Sequence, residues 1–258
     1  MPDVLTDQKG HILLVTLNRP DRMNAIGGQL LTLLSQTLLE ADKNPEVRVI
    51  LLTGAGRGFC AGLDLKDVAD DTTKVSGGGA PFKISETPPL VMRRIDTPTI
   101  CALNGAAAGY GMDLALGCDF VLASEEAKFV PPIRRGALPE SGGTWLLPQL
   151  VGWHKACEIT LLGRTLPATE IERLGLANCV VPHEKLMPEA FRWAEELAAN
   201  APLAVAATKR SMRFGLDSTF EANAAHVMAE LSQLFRTEDF AEGLKSFIEK
   251  RPAKFTGR

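Results

Sequence analysis

Asn104, Gly105, Gly109, Gly111 and Asp113 lie close together where an apolar run gives way to a helical pattern. Glycines there let the main chain approach a ligand closely. The N–H groups of a first helical turn carry partial positive charge and have no acceptor within the helix. Together these features suit an anion, either a bound phosphate or an oxyanion that develops only during a reaction. A plainer alternative stays open, because glycine and alanine also permit tight helix–strand packing. The stretch 100–124 is apolar enough to resemble a membrane span, but Asn104, Asp113, Asp119 and the glycines argue against one.

The elements that must position these residues follow from the apolar pattern. Strands are expected at 11–17, 47–53, 100–103 and 120–123, with a helix at 30–41 that stops before Asn44-Pro45. Strands separated by helices and by crossovers longer than a hairpin point to an α/β fold with buried, largely parallel pairing. Residues 67–89 are polar, glycine-rich and aperiodic, which predicts a mobile flap. From Trp153 onward helical patterns dominate, at 155–162, 168–174, 187–200, 203–214, 218–235 and 239–250, with one strand at 177–181. Thr169 and Glu172 fit an N-terminal capping box, and Gly175 a helix stop. A soft boundary near residue 200 divides a core domain (1–200) from a helical region (201–258). The Ala-, Leu- and Met-rich helix at 222–234 suits either internal core or an oligomer surface.

At 258 residues the chain is long enough for one large domain, or one domain with an appendage. Its 28 basic and 31 acidic residues leave a net charge of −3, which gives no sign of a nucleic-acid or acidic-membrane partner. Cys60, Cys101, Cys118, Cys157 and Cys179 are scattered and odd in number, and read as reduced residues of a cytoplasmic protein. No CxxC or HExxH pattern occurs and the four histidines are isolated, so no metal site is expected. The first ten residues, MPDVLTDQKG, lack the apolar core of a secretory signal.

Four segments, in order, carry a family resemblance. They are LNRPDRMNA at 17–25, FCAGLDLK at 59–66, NGAAAGYGMD at 104–113 and GALPESGGT at 136–144. EGLKSFIEKR at 242–251 resembles the same family's closing helix. The chain thus resembles the crotonase superfamily, the enoyl-CoA hydratases and isomerases, over nearly its whole length. The resemblance implies a crotonase-like spiral of ββα repeats with a C-terminal helical region that forms trimers or dimers of trimers. It also implies substrates that are coenzyme A thioesters, with coenzyme A present only as part of the substrate and no separate cofactor.

By that resemblance the backbone N–H groups of Leu63 and Tyr110 form an oxyanion hole, although the family commonly has glycine where Tyr110 stands. Ala61 and Leu63 would lie near the adenine of coenzyme A, and Arg22 and Lys66 near its phosphates. Phe247 and Lys250 would complete the pocket, in relatives from a neighbouring subunit. Taken singly, the basic residues among these read as solvated surface charges.

Hydratases of the family carry two catalytic glutamates. Asp113 occupies one position, but the segment FVPPIRRG at 129–136 has Pro132 where the second would fall. Glu140 instead matches the acid of isomerase-type relatives, which implies a proton shuttle with Asp113 as a second proton-transfer or polarising group. Both carboxylates also suit simple helix N-terminal anchors. Arg134 and Arg135 fit surface ion pairs or a substrate carboxylate, Tyr110 fits an acyl-pocket wall, and Trp145 fits core packing better than such a wall. The expectation is therefore double-bond isomerisation, with hydration through a single carboxylate and non-catalytic acyl-CoA binding as the alternatives.

Overall fold

The computed structural model describes residues 1–64, 87–139 and 141–258. Ten strands are described: β1 (Val4–Lys9), β2 (Ile12–Leu17), β3 (Val49–Gly54), β4 (Gly58–Cys60), β5 (Thr99–Leu103), β6 (Ala106–Ala108), β7 (Phe120–Ser124), β8 (Lys128–Val130), β9 (Leu166–Pro167) and β10 (Cys179–Val181). The helices are α1 (Leu30–Lys43), α2 (Pro88–Met92), α3 (Tyr110–Leu116), α4 (Gly143–Val151), α5 (Trp153–Leu162), α6 (Ala168–Arg173), α7 (Leu186–Ala198), α8 (Pro202–Leu216), α9 (Phe220–Leu234) and α10 (Glu238–Glu249).

A larger sheet runs in the order β1-β2-β3-β5-β7-β10 and a smaller one in the order β4-β6-β8-β9. In the larger sheet only β1 is antiparallel, paired with β2. Strands β3 and β5 are buried along their full length, as parallel strands covered on both faces must be. Their alternation sorts two cores. Ile50, Leu52, Cys101 and Leu103 pack on the side of Leu30, Leu34 and Leu38 of α1. Val49, Leu51, Ile100 and Ala102 pack against Leu186, Ala190 and Ala194 of α7. Each long strand soon feeds a short one in the second sheet: β3 leads to β4, β5 to β6 and β7 to β8. These are the turns of the expected ββα spiral.

Several local expectations change. Between the expected strand at 100–103 and the helical pattern, residues 106–108 form a further strand, β6, which pairs with both β4 and β8. Helix α6 has Pro167 as its N-cap and no side-chain cap, so Thr169 lies inside the first turn and no capping box forms. The Glu172 carboxylate instead accepts the Val180 N–H of β10 at 2.9 Å. Gly175 does stop that helix, at φ 70°, with Gly175 N–H on the Glu172 carbonyl and Leu176 N–H on the Ile171 carbonyl. Of the expected flap at 67–89, residues up to 86 lie outside the described residues, and Pro88 and Pro89 open α2.

From residue 202 to 249 the chain is α8, α9 and α10. Helix α8 buries only Ala207, Lys209 and Ser211, and α9 buries nothing. Charge docks α8 instead. Lys209 Nζ lies 2.6 Å from Asp119 Oδ2 and 2.9 Å from the Thr97 carbonyl, while Arg210 and Arg213 both pair with Asp96. Among the described residues no helix is long and apolar enough to cross a membrane.

Candidate active site

Two backbone segments meet at the residues singled out in the sequence. Residues 61–64 continue β4, and 108–111 carry β6 into α3. Gly62 has φ 78°, and a Cβ there would fall 2.6 Å from the Ala108 carbonyl oxygen and 3.6 Å from Tyr110 N. A Cβ on Gly111 would fall 2.2 Å from the Cys60 carbonyl oxygen. Any side chain at either position forces the segments apart, so the pair of glycines interlocks them. At Gly111 the glycine of the sequence pattern therefore serves tight packing of α3 against β4.

Leu63 forms a parallel bridge to Ile26, in which Ile26 N–H reaches the Gly62 carbonyl at 2.7 Å and Asp64 N–H the Ile26 carbonyl at 3.0 Å. Those bonds use the groups flanking Leu63, so the Leu63 N–H points away from Ile26. Tyr110 opens α3 just after Gly109, whose carbonyl accepts from Met112 and Asp113. Its ring is 6% exposed and joins the main core cluster, so the backbone is helical and the bulky side chain is directed inward.

Two asparagines brace the neighbouring turn. Buried Asn24 donates to the Ala55 and Gly58 carbonyls at 2.9 and 2.8 Å and accepts Arg19 N–H at 2.8 Å. Asn104 accepts Gly54 N–H at 3.2 Å and donates to the Gly56 carbonyl at 2.9 Å. Both lie in the resemblance motifs, but their bracing role has no signature in residue type alone.

Asp113 is completely buried, three residues beyond Tyr110 and on the same side of α3. Its Oδ2 accepts the Ser141 N–H at 2.8 Å. Pro132, on a short 3-10 turn, is buried, and its Cβ would stand 3.5 Å from a Cβ built on Gly109. An apolar ring therefore fills the place beside the start of α3. Glu140 and Lys66 lie outside the described residues.

Arg22 Nη1 lies 3.6 Å from Asp64 Oδ1, which places Arg22 beside Leu63 and exposed Ala61, with Asp64 itself also held by Arg19 at 3.4 Å. Phe247 and exposed Lys250 end α10; Phe247 is 85% exposed, so this chain leaves it uncovered. Trp145 is 40% exposed and is not core. Gly143 and Leu147 take the inner face of α4, and Trp145 falls on the other side, under the Arg93 guanidinium at 4.1 Å. Arg134 donates to the Leu162 carbonyl at the end of α5. Cys60, under the interlock, has its thiol pushed up to about 11 by burial. Among the described residues no cluster of potential metal ligands forms.

A family model described as enoyl-CoA hydratase/isomerase matches residues 7–258. The chain is 36% identical over 270 residues to the 1,2-epoxyphenylacetyl-CoA isomerase of Escherichia coli, covering 100% of both chains. It is 33% identical over 262 residues to the 2,3-dehydroadipyl-CoA hydratase of the same organism, again covering 100% of both. An enoyl-CoA hydratase structure from Bacillus anthracis superposes with a TM-score of 0.91 at 31% identity, covering 100% of both.

Proposed function

The chain belongs to the enoyl-CoA hydratase/isomerase family, and from that premise we propose that it moves a double bond within an unsaturated acyl-CoA thioester. The thioester oxygen would lie between the N–H groups of Leu63 and Tyr110. Glu140 would take a proton from the α- or γ-carbon, and the C–H electron pair would pass into the conjugated system, leaving a dienolate on that oxygen. Return of the same proton at the other carbon re-forms the carbonyl and completes the shift. Each aimed N–H would stabilise the developing charge by about 3 kcal/mol. Asp113, one helical turn from Tyr110, would stand beside this chemistry as a polarising or positioning carboxylate.

The observation that carries this reading is Pro132. By resemblance it stands where hydratases of the family have their second glutamate, and its ring lies against Gly109. A pyrrolidine ring neither holds nor activates a water molecule. Single-carboxylate hydration is the second reading, and the 33% identity to a hydratase supports it. Arg22 reaches Asp64 at 3.6 Å and the Ala61 N–H reaches the Met23 carbonyl at 3.0 Å, so Arg22 adjoins the 61–64 segment, which supports a role for Arg22, Ala61 and Leu63 in holding coenzyme A; Lys66, by resemblance, shares it. The uncovered Phe247 supports a pocket completed, with Lys250, by a neighbouring subunit of a trimer or dimer of trimers. Five free cysteines support a reducing, cytoplasmic setting.

Panels of 2-enoyl- and 3-enoyl-CoA thioesters, followed by mass spectrometry and ultraviolet absorbance, test the reading. Unchanged mass with altered absorbance is expected. A mass gain of one water would establish hydration instead, and binding with no change would indicate a non-catalytic member. On whichever thioester turns over, Glu140→Gln is expected to lower kcat by at least about a hundredfold. Near-normal turnover would remove Glu140 from the mechanism.

A further inference from the structure

We propose that Asp113 is a positioning residue: its carboxylate clamps Ser141 and Gly143 onto the start of α3 and does not itself transfer a proton. The inference rests on the isomerase reading given above.

Three observations carry it. The first is the hydrogen bond from Ser141 N–H to Oδ2, at 2.8 Å. The second is the fit at Gly143, where a Cβ would fall 2.1 Å from Asp113 Oδ1 and 2.9 Å from Pro139 Cβ. Only a residue without a side chain lets the start of α4 come down on the carboxylate, so the carboxylate is held from both sides. The third is burial: Asp113 is 0% exposed and Pro139 is buried. A group that exchanges protons with a substrate needs a face open to it, whereas a clamp does not.

The clamp links two halves of the proposed chemistry. Helix α3 begins with Tyr110, whose N–H is one proposed oxyanion donor, and carries Asp113 one turn later. Asp113 holds Ser141, the residue that follows Glu140 in the sequence. Through one short helix the oxyanion donor and the segment bearing the proposed proton shuttle share a single support. Positioning of this kind is worth a large factor, because a misplacement of about 1 Å lowers a rate on the order of a hundredfold.

Asparagine and alanine separate clamping from proton transfer. Asn keeps an acceptor oxygen for Ser141 N–H but cannot act as an acid or base; Ala removes both functions. Two readouts apply: hydrogen exchange of a peptide covering 137–146, and the pH dependence of kcat on the thioester that wild type turns over. For Asp113→Asn the clamp predicts preserved protection of Ser141 and a kcat lower by about tenfold, as a charged acceptor is replaced by a neutral one. For Asp113→Ala it predicts lost protection and a kcat lower by about a hundredfold or more, with the pH profile unmoved in both variants.

Should Asn be as inactive as Ala while Ser141 stays protected, Asp113 transfers a proton and the clamp is wrong. Unchanged exchange in Asp113→Ala would also overturn it. Ser141→Pro guards against a misfolded Ala variant, since it deletes the donor and leaves the carboxylate; the clamp predicts the same loss of kcat. If wild type turns over no thioester, the isomerase reading fails, and the exchange comparison alone still decides the clamp.

Discussion

Around Gly62 and Gly111 the backbone segments meet with no room for a methyl group, whereas the C-terminal helices reach the core through charged side chains. In the first region, position is set by shape, through main-chain atoms and a buried core. In the second, Asp96, Asp119 and their Lys and Arg partners set it, and large apolar side chains such as Phe220, 83% exposed, and Phe247 face outward. Shape holds a geometry that must not drift, as an oxyanion hole must not. Charge holds helices in place while leaving their apolar faces free for the subunit contacts proposed above.

The sharpest way to break this contrast is Gly111→Ala. Its Cβ would meet backbone, which cannot swing aside, so a stability loss of about 3 kcal/mol is expected together with loss of turnover. Thermal unfolding and kinetics would check both, and a fully active variant would show that the interlock tolerates strain. Asp96→Asn should act on the other region alone. It weakens two arginine contacts at once, and because those side chains are partly exposed, a loss of about 1–2 kcal/mol is expected. Hydrogen exchange should quicken in α8 and α9 but not in β3 or β5, and 1 M salt should act the same way, more weakly. Equal quickening in the strands would mean that the two regions open together.

Two further effects, confined to the extremes of pH, are expected with opposite sign. Cys60 is held as a neutral thiol up to about 11 against an ordinary value of 9.0, so the unfolded chain ionises first. Stability is unaffected below 9.0 and falls by about 2 kcal/mol as pH rises from there through 11. Glu242 is drawn down to about 2, first by its hydrogen bond to Arg251 and then by the Lys254 N–H. Its contribution is complete above 4.5 and lost as pH falls through about 2. Alkali should therefore loosen the core, and acid the tail at 252–257. Denaturant titration against pH, with Cys60→Ala and Glu242→Gln as controls, measures each limb; overlapping limbs in wild type and variant would dismiss the assignment.

How far each feature was legible follows from the same distinction. Strands β3 and β5 stand out because burial on both faces leaves them uninterruptedly apolar. Strand β1 was not legible: five of its six residues are exposed, and pairing with β2 rather than side-chain pattern makes it a strand. The motif glycines and Asp113 mark the site, but the bond from Ser141 spans 28 residues and uses a main-chain N–H, so residue type gives no sign of it. Trp145 misled because its size suggests the core, while its place on α4 is fixed by Gly143 and Leu147. Pro167 overrode the capping signal at Thr169: it is itself the N-cap, and the helix starts at Ala168, two residues before a Thr169 cap would start it.

Both proposed oxyanion donors are main-chain atoms, and Tyr110 turns its ring away into the core. Genetic drift at positions 63 and 110 is therefore nearly silent for the charge stabilisation, provided that Gly62 and Gly111 persist. What filters the side chain at 110 is the core in which it packs, so a lineage built on this chain would hold that position for stability while the main-chain geometry passes unaltered from one descendant to the next.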